Sequence, residues 1–270
     1  MHKEILNNLP FFVFDHLFSH KKLYHAVTTR VGGLSPSPFE SLNLGINTDD
    51  KLSNIISNHD TVSKALNFDL SFLVSSTQVH EDRILCLNEK PEHKESKAPG
   101  VCYEGFDSII TDQNGLTIMI SVADCVPIIL YDPKSKVIAV VHAGWKGTLS
   151  EITIKTIHQM KKQFGCSSAD IKAGIGPAIG KCCFSVNSEI AEKFTGQLKR
   201  SEYFVKQNNG SSYIDLNEAN KIQMILAGLN EENIETSEIC TSCCSDVFFS
   251  HRREKGRTGR FSLLAGLHRS

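Results

Sequence analysis

Two long apolar runs in the middle of the chain constrain its fold more than any other feature. The first, residues 116–131, carries Asp124 as its only charge, and the turn-forming run Tyr131-Asp132-Pro133-Lys134-Ser135-Lys136 separates it from the second, residues 137–141. That turn makes residues 127–141 an antiparallel hairpin. Further strands are expected at 24–29, 72–77, 83–87, 108–111, 117–122, 171–175, 213–215 and 234–239. The strongest helix is 148–164: Thr148 and Glu151 read as a capping box, Leu149, Ile152, Ile157, Met160 and Phe164 recur at helical spacing, and Gly165 stops it. Residues 58–66 and 216–229 are the next helices. Strands dominate the middle without the regular alternation of a doubly wound parallel sheet, so a mixed α+β sandwich is expected.

With 270 residues, 40% of them hydrophobic, the chain can build a substantial core, and without repeats or low-complexity blocks it reads as one domain over 1–270. The 29 basic and 30 acidic residues leave a net charge of -1, so no global field draws nucleic acid or anionic lipid. Asn7, Asn8 and Pro10 arrive too early for a secretory apolar core, and 116–131 is too short to span a bilayer. Nine cysteines, an odd number with adjacent pairs at Cys182-Cys183 and Cys243-Cys244, suit reduced thiols in a cytoplasmic protein. Residues 88–100 read as an exposed polar loop.

Cys125 follows Asp124, the break in the first apolar run, and His142 ends the second. If those runs pair, thiolate and imidazole converge, and His80, in Gln78-Val79-His80, would complete a two-imidazole, one-thiolate set. Such a set suits zinc with an open fourth position, the mark of a catalytic site. Cys125 and His142 equally fit a nucleophile and its base, which would need an orienting Asn, Asp or Gln rather than a second histidine. Each residue alone is more ordinary as a core side chain.

The turn from His142 through Gly144 and Lys146 to Thr148 could present backbone N–H groups to a phosphate, although a tight turn with Trp145 packed on the core explains it as well. Arg30, isolated among small residues, is a candidate phosphate fork, whereas the basic run 251–260 reads as a solvated loop. Cys240-Thr241-Ser242-Cys243 has zinc-knuckle spacing without a second CxxC. With Cys182 and Cys183 it is taken as buried or incidental thiols, a structural metal being the minor alternative.

Taken in order, Thr28-Thr29-Arg30-Val31-Gly32-Gly33, Ser41-Leu42-Asn43-Leu44-Gly45, Gln78-Val79-His80, Ala123-Asp124-Cys125-Val126-Pro127, Val141-His142-Ala143-Gly144-Trp145-Lys146-Gly147-Thr148, Gly176-Pro177-Ala178-Ile179-Gly180 and Phe248-Phe249-Ser250-His251-Arg252-Arg253 with Thr258-Gly259-Arg260 resemble the YfiH-like, or laccase-domain, family. His251 departs from the tyrosine often found before the double arginine. The resemblance implies a four-layer α/β/β/α sandwich with His80, Cys125 and His142 as ligands of zinc, copper being an alternative. It also implies phosphorolysis of adenosine, inosine and methylthioadenosine, with adenosine deamination as a companion activity. The expected partners are purine nucleosides and phosphate, acting on a monomer or homodimer. Arg30, Asn43, Gln78, Asp124 and Lys146 are the expected substrate or phosphate contacts, Asp124 serving as a proton shuttle only if it turns into the pocket. The older label of laccase or polyphenol oxidase sits badly with the sequence. A multicopper oxidase uses many histidines, commonly in His-x-His pairs, and this chain has no His-x-His, so one Cys-His-His set would hold one copper at most. A Cys/His hydrolase, a single-copper polyphenol oxidase and a metal-binding partner protein without turnover are the competing readings.

Overall fold

The computed structural model describes residues 1–92, 99–208 and 210–268, so the middle of the expected polar loop, 93–98, lies outside the described residues. A seven-stranded sheet runs in the order His2–Leu6, Leu9–Val13, Leu23–Thr28, Phe261–Leu267, Thr117–Val122, Leu73–Thr77, Val101–Glu104. A six-stranded sheet runs Ile234–Thr236, Lys172–Ile175, Val126–Asp132, Val137–Ala143, Ser108–Thr111, Ile84–Leu87. A small third sheet joins Ser185–Val186, Ser211–Ile214 and Val205–Asn208.

The apolar runs are continuous because both faces of their strands are buried. Ile129, Tyr131, Ile138 and Val140 point toward the seven-stranded sheet and pack with Val27, Ile118, Ile120 and Leu263. Their neighbours Ile128, Leu130, Ala139 and Val141 point the other way, onto Ile157 and Met160 of helix Ile152–Phe164 and Ile222 and Met224 of helix Leu216–Leu226. On the far side, Phe11, Met119 and Leu264 meet Val62 of helix Leu52–Leu66. Helix, sheet, sheet and helix therefore stack as the expected α/β/β/α sandwich. The expected hairpin pairs Val137 with Asp132 through Ala143 with Val126, and Asp132 Oδ1 closes its turn by accepting from the N–H groups of Lys134 (2.8 Å) and Ser135 (3.0 Å).

Several boundaries differ from the sequence reading. The helix expected over 148–164 is two, Trp145–Leu149 and Ile152–Phe164, with Glu151 between them in the left-handed region at φ 58°. No capping box forms, because Thr148 is already inside the first helix. Its hydroxyl accepts from Asn220 Nδ2 at 3.0 Å and its N–H donates to the Gly144 carbonyl at 2.8 Å, so both groups a capping box would use are engaged elsewhere. The helix expected from 58 begins at Leu52, that of 216–229 ends at Leu226, and the strand expected to 239 ends at Thr236. No described helix is long and apolar enough to cross a membrane.

Candidate metal centre

The site forms where the chain passes from one sheet to the other. His80 lies on the link from strand Leu73–Thr77 to strand Ile84–Leu87, and Cys125 on the link from Thr117–Val122 to Val126–Asp132. His142 is near the end of the second hairpin strand. Ligand atoms of all three lie within 4.8 Å of one another, and the imidazole rings meet edge to face, 4.8 Å between centroids. Gly144 faces them: a Cβ there would sit 3.1 Å from Cys125 Sγ and 3.2 Å from His80 Cδ2, crowding two of the three. The bare glycine keeps that space open.

One residue that sequence reasoning missed organises the group. Asp107 is wholly buried and accepts from His142 Nδ1 at 2.7 Å, and its carboxylate also takes the backbone N–H groups of Val79, His80 and Glu81 at 3.0 to 3.2 Å. Those three bonds pin the left-handed turn at His80, whose φ is 62°. Because Nδ1 of His142 donates to a carboxylate, Nε2 is left as the ligand atom, the second-sphere arrangement typical of metal-bound histidine. Burial would raise Asp107, but its hydrogen bond with His142, that ring's charge and the backbone N–H groups hold it below the ordinary carboxylate range.

Burial likewise pushes the Cys125 thiol up, yet the charge of His142 and hydrogen bonds from His142 and His80 override it and bring it down to about 6. Burial lowers His142, and the Cys125 charge with the Asp107 hydrogen bond outweighs it, raising the imidazole to about 9. Their proximity thus favours the charged form of each, thiolate facing imidazolium, against the effect of burial. A divalent cation would take the thiolate as ligand and displace the imidazole proton. Asp107→Asn, which keeps the shape and removes the charge, is expected to lower metal affinity and activity by about 10- to 100-fold. Isothermal titration with zinc on the folded variant checks this; wild-type affinity would reduce Asp107 to a structural role.

The three ligands border a cavity of about 680 Å³, also walled by Gln78, Ser121, Asp124, Trp145, Phe184, His251, Arg252 and Arg260. That volume is in the ordinary range for a small-molecule site. Gln78 is part of the wall, but its amide is bonded at both ends to the backbone of Ser121, at 2.8 and 3.0 Å. Asp124 also borders the cavity with both carboxylate oxygens occupied, by Thr241 Oγ1 and by Arg252 N–H, each at 2.6 Å. The proton-shuttle expectation is therefore corrected: the carboxylate anchors the Cys125 link.

Arg30, Asn43 and Lys146 do not border this cavity. Arg30 donates through Nε to the Glu40 carbonyl at 2.8 Å and through Nη1 to the Ser245 carbonyl at 2.7 Å and to Glu254 at 3.0 Å, with its guanidinium over Phe249. It ties the N-terminal segment to 245–254 rather than projecting into a cleft. Lys146 is exposed, 5.7 Å from the Trp145 ring, on a neighbouring groove that shares His80 and Trp145 with the cavity. It belongs to the five-residue helix Trp145–Leu149. Asn43 is fully buried, and its Oδ1 accepts from the N–H groups of Gly45 (3.0 Å) and Arg260 (2.9 Å).

Arg260 is the basic side chain that sequence reasoning passed over. Its stem lies against Gly45, where a Cβ would sit 2.5 Å from Cγ, and its hydrogen bonds, to the carbonyls of Thr258 and Gly259, use Nη1. His251, the departure noted in the sequence, lines the same cavity. Among the described residues the groups able to hold a metal are this one and Cys182, Cys183, Cys240 and Cys243, neither of them the histidine-rich array that several coppers need.

Fold and site together define an α/β/β/α sandwich protein with a His/Cys/His group able to hold a metal in the wall of a small-molecule cavity. The chain belongs to the laccase-domain family: the model described as multi-copper polyphenol oxidoreductase laccase matches residues 24–268. It is 31% identical over 250 residues to purine nucleoside phosphorylase YlmD of Bacillus subtilis, covering 92% of this chain and 90% of that protein. It is 32% identical over 244 residues to adenosine deaminase RL5 from an unknown prokaryotic organism, covering 90% and 92%. The crystal structure of Bacillus licheniformis hypothetical protein YfiH superposes with a TM-score of 0.87 at 35% identity, covering 92% of this chain and 94% of that one. These relatives support an enzyme of this family.

Proposed function

We propose that this protein is a zinc-dependent purine nucleoside phosphorylase acting on adenosine, inosine and methylthioadenosine, with adenosine deamination as a companion activity. The observation that carries the reading is the convergence of His80, Cys125 and His142 in the wall of a cavity of nucleoside scale. Relatives over nearly the whole chain bear both activity names. Zinc held by those three residues would supply a Lewis acid with an open position. The protein's own groups do the rest. Asp107 keeps the His142 proton on Nδ1, and Trp145 and Phe184 offer apolar surface to a purine. Arg260 takes the role first expected of Arg30, presenting the guanidinium edge beyond Nη1 to phosphate as it attacks the anomeric carbon. His251 is the imidazole available to pass a proton to the departing base.

Phosphate-dependent base release from the three nucleosides, assayed before chelation, after it and after zinc return, tests the reading. Arg260→Gln is expected to raise the Michaelis constant for phosphate about 10- to 100-fold, the worth of a charged hydrogen bond, while sparing deamination, whose co-substrate is water. Arg30→Gln should cost stability without that selectivity. Equal effects of both variants on both reactions would overturn the phosphate assignment.

A second reading draws on Asp107. With Cys125 and His142 it supplies nucleophile, base and orienting acid, the arrangement of a cysteine hydrolase. Indifference of activity to chelation, together with covalent trapping of substrate on Cys125, would favour it.

A further inference from the structure

The four thiols set aside in the sequence as incidental are gathered in space. Cys182 and Cys183 lie in the turn after strand Lys172–Ile175, and Cys240 and Cys243 in the turn after Ile234–Thr236. The parallel pairing of those strands continues into an Ala178–Cys240 bridge, which brings the turns together. Sulfur atoms of all four lie within 4.8 Å of one another, with Cys243 Sγ 3.7 Å from Cys182 Sγ and 3.5 Å from Cys183 Sγ. Four sulfurs at zinc-bond length on a tetrahedron are separated by about 3.8 Å, against about 2.0 Å across a disulfide.

We propose that Cys182, Cys183, Cys240 and Cys243 bind one zinc ion as a closed, four-thiolate structural site distinct from the His/Cys/His centre. The thiols give up their protons to solvent as the ion binds. Gly180 N–H donates to Cys240 Sγ at 3.2 Å, supporting a thiolate there, and a Cβ on Gly180 would come within 3.3 Å of Cys182 Sγ. The net negative charge of such a site is met by two guanidinium groups on its turns: Arg252 donates to the Cys183 carbonyl at 3.1 Å and Arg253 to the Ser242 carbonyl at 3.0 Å. The ion would fasten a wall of the cavity. Thr241, between the ligands of the second turn, holds Asp124, and Ile179 N–H donates to the Asp124 carbonyl at 2.9 Å.

Metal analysis under reducing, oxygen-free conditions separates the two centres. Cys125→Ser, which dismantles the His/Cys/His set, is expected to keep one zinc per chain, and the wild type to take up two. Cys240→Ser/Cys243→Ser should lose the equivalent that Cys125→Ser retains. Cobalt added to metal-free Cys125→Ser should give the intense thiolate-to-cobalt charge-transfer bands of an all-sulfur tetrahedral site. If the double variant fails to fold, the cobalt spectrum and zinc content of Cys125→Ser decide alone. Folded Cys125→Ser that holds no zinc and gives no thiolate bands would overturn the proposal. So would an intact mass showing these cysteines already joined in disulfides, which would make them a redox pair.

Discussion

Cys125→Ser is expected to reduce turnover by about 10²- to 10³-fold, the rate equivalent of the several kcal/mol that a bound Lewis acid contributes. Serine preserves the volume and removes the soft, low-pKa donor. The thiol it replaces is the only sulfur among the three ligands, brought down to about 6 by His142 and His80 against the effect of burial. Cys166→Ser is the control. Its thiol is buried after helix Ile152–Phe164, pushed up to about 12 chiefly by burial, and absent from the cavity wall. Steady-state assays on both folded variants give the comparison, and equal losses would mean that Cys125 acts on the fold rather than on chemistry.

The second large effect is on stability in acid. His25 and His59 are buried and each held down to about 4, in both cases chiefly by desolvation. His25 Nε2 accepts the Phe14 N–H at 2.8 Å, a bond lost on protonation, and the His59 ring bonds the Leu44 carbonyl at 3.0 Å. The unfolded chain takes up these protons near pH 6.5, before the folded one does. Their contribution is therefore complete above pH 6.5 and is lost as pH falls toward 4, on the order of 3 kcal/mol for each residue. Urea unfolding at steps across that window should show the decline, and His59→Gln should flatten it by about one proton. An unchanged slope in the variant would place the acid sensitivity elsewhere.

The hairpin and the placement of Cys125 and His142 at its ends were legible because burial on both strand faces writes itself as an unbroken apolar run. His80 could be proposed from its chemistry and the family motif. Asp107 could not, since an isolated acid before a strand looks like any surface carboxylate until three backbone N–H groups and an imidazole are seen to point at it. That Arg260 borders the cavity and Arg30 does not was hidden for a related reason. Both sit beside glycines, and which guanidinium is consumed by carbonyls, Glu254 and Phe249 depends on segments more than 200 residues apart. The cysteine cluster was hidden because its halves lie about 60 residues apart and meet only through parallel strand pairing.

Two of the three donors of the His/Cys/His centre ride on crossings between the sheets, and the third is at a strand end in one of them. All three nonetheless gather at one end of the six-stranded sheet: Val126 pairs with Ala143, and Asp107, just before strand Ser108–Thr111, binds both His142 and the His80 turn. A chain that has formed this sheet alone would already have the three side chains brought near one another by the sheet's own pairing. If the group binds zinc as proposed, the ion would tie together the ends of strands Ile84–Leu87, Val126–Asp132 and Val137–Ala143 and add its binding free energy to the stability of that sheet.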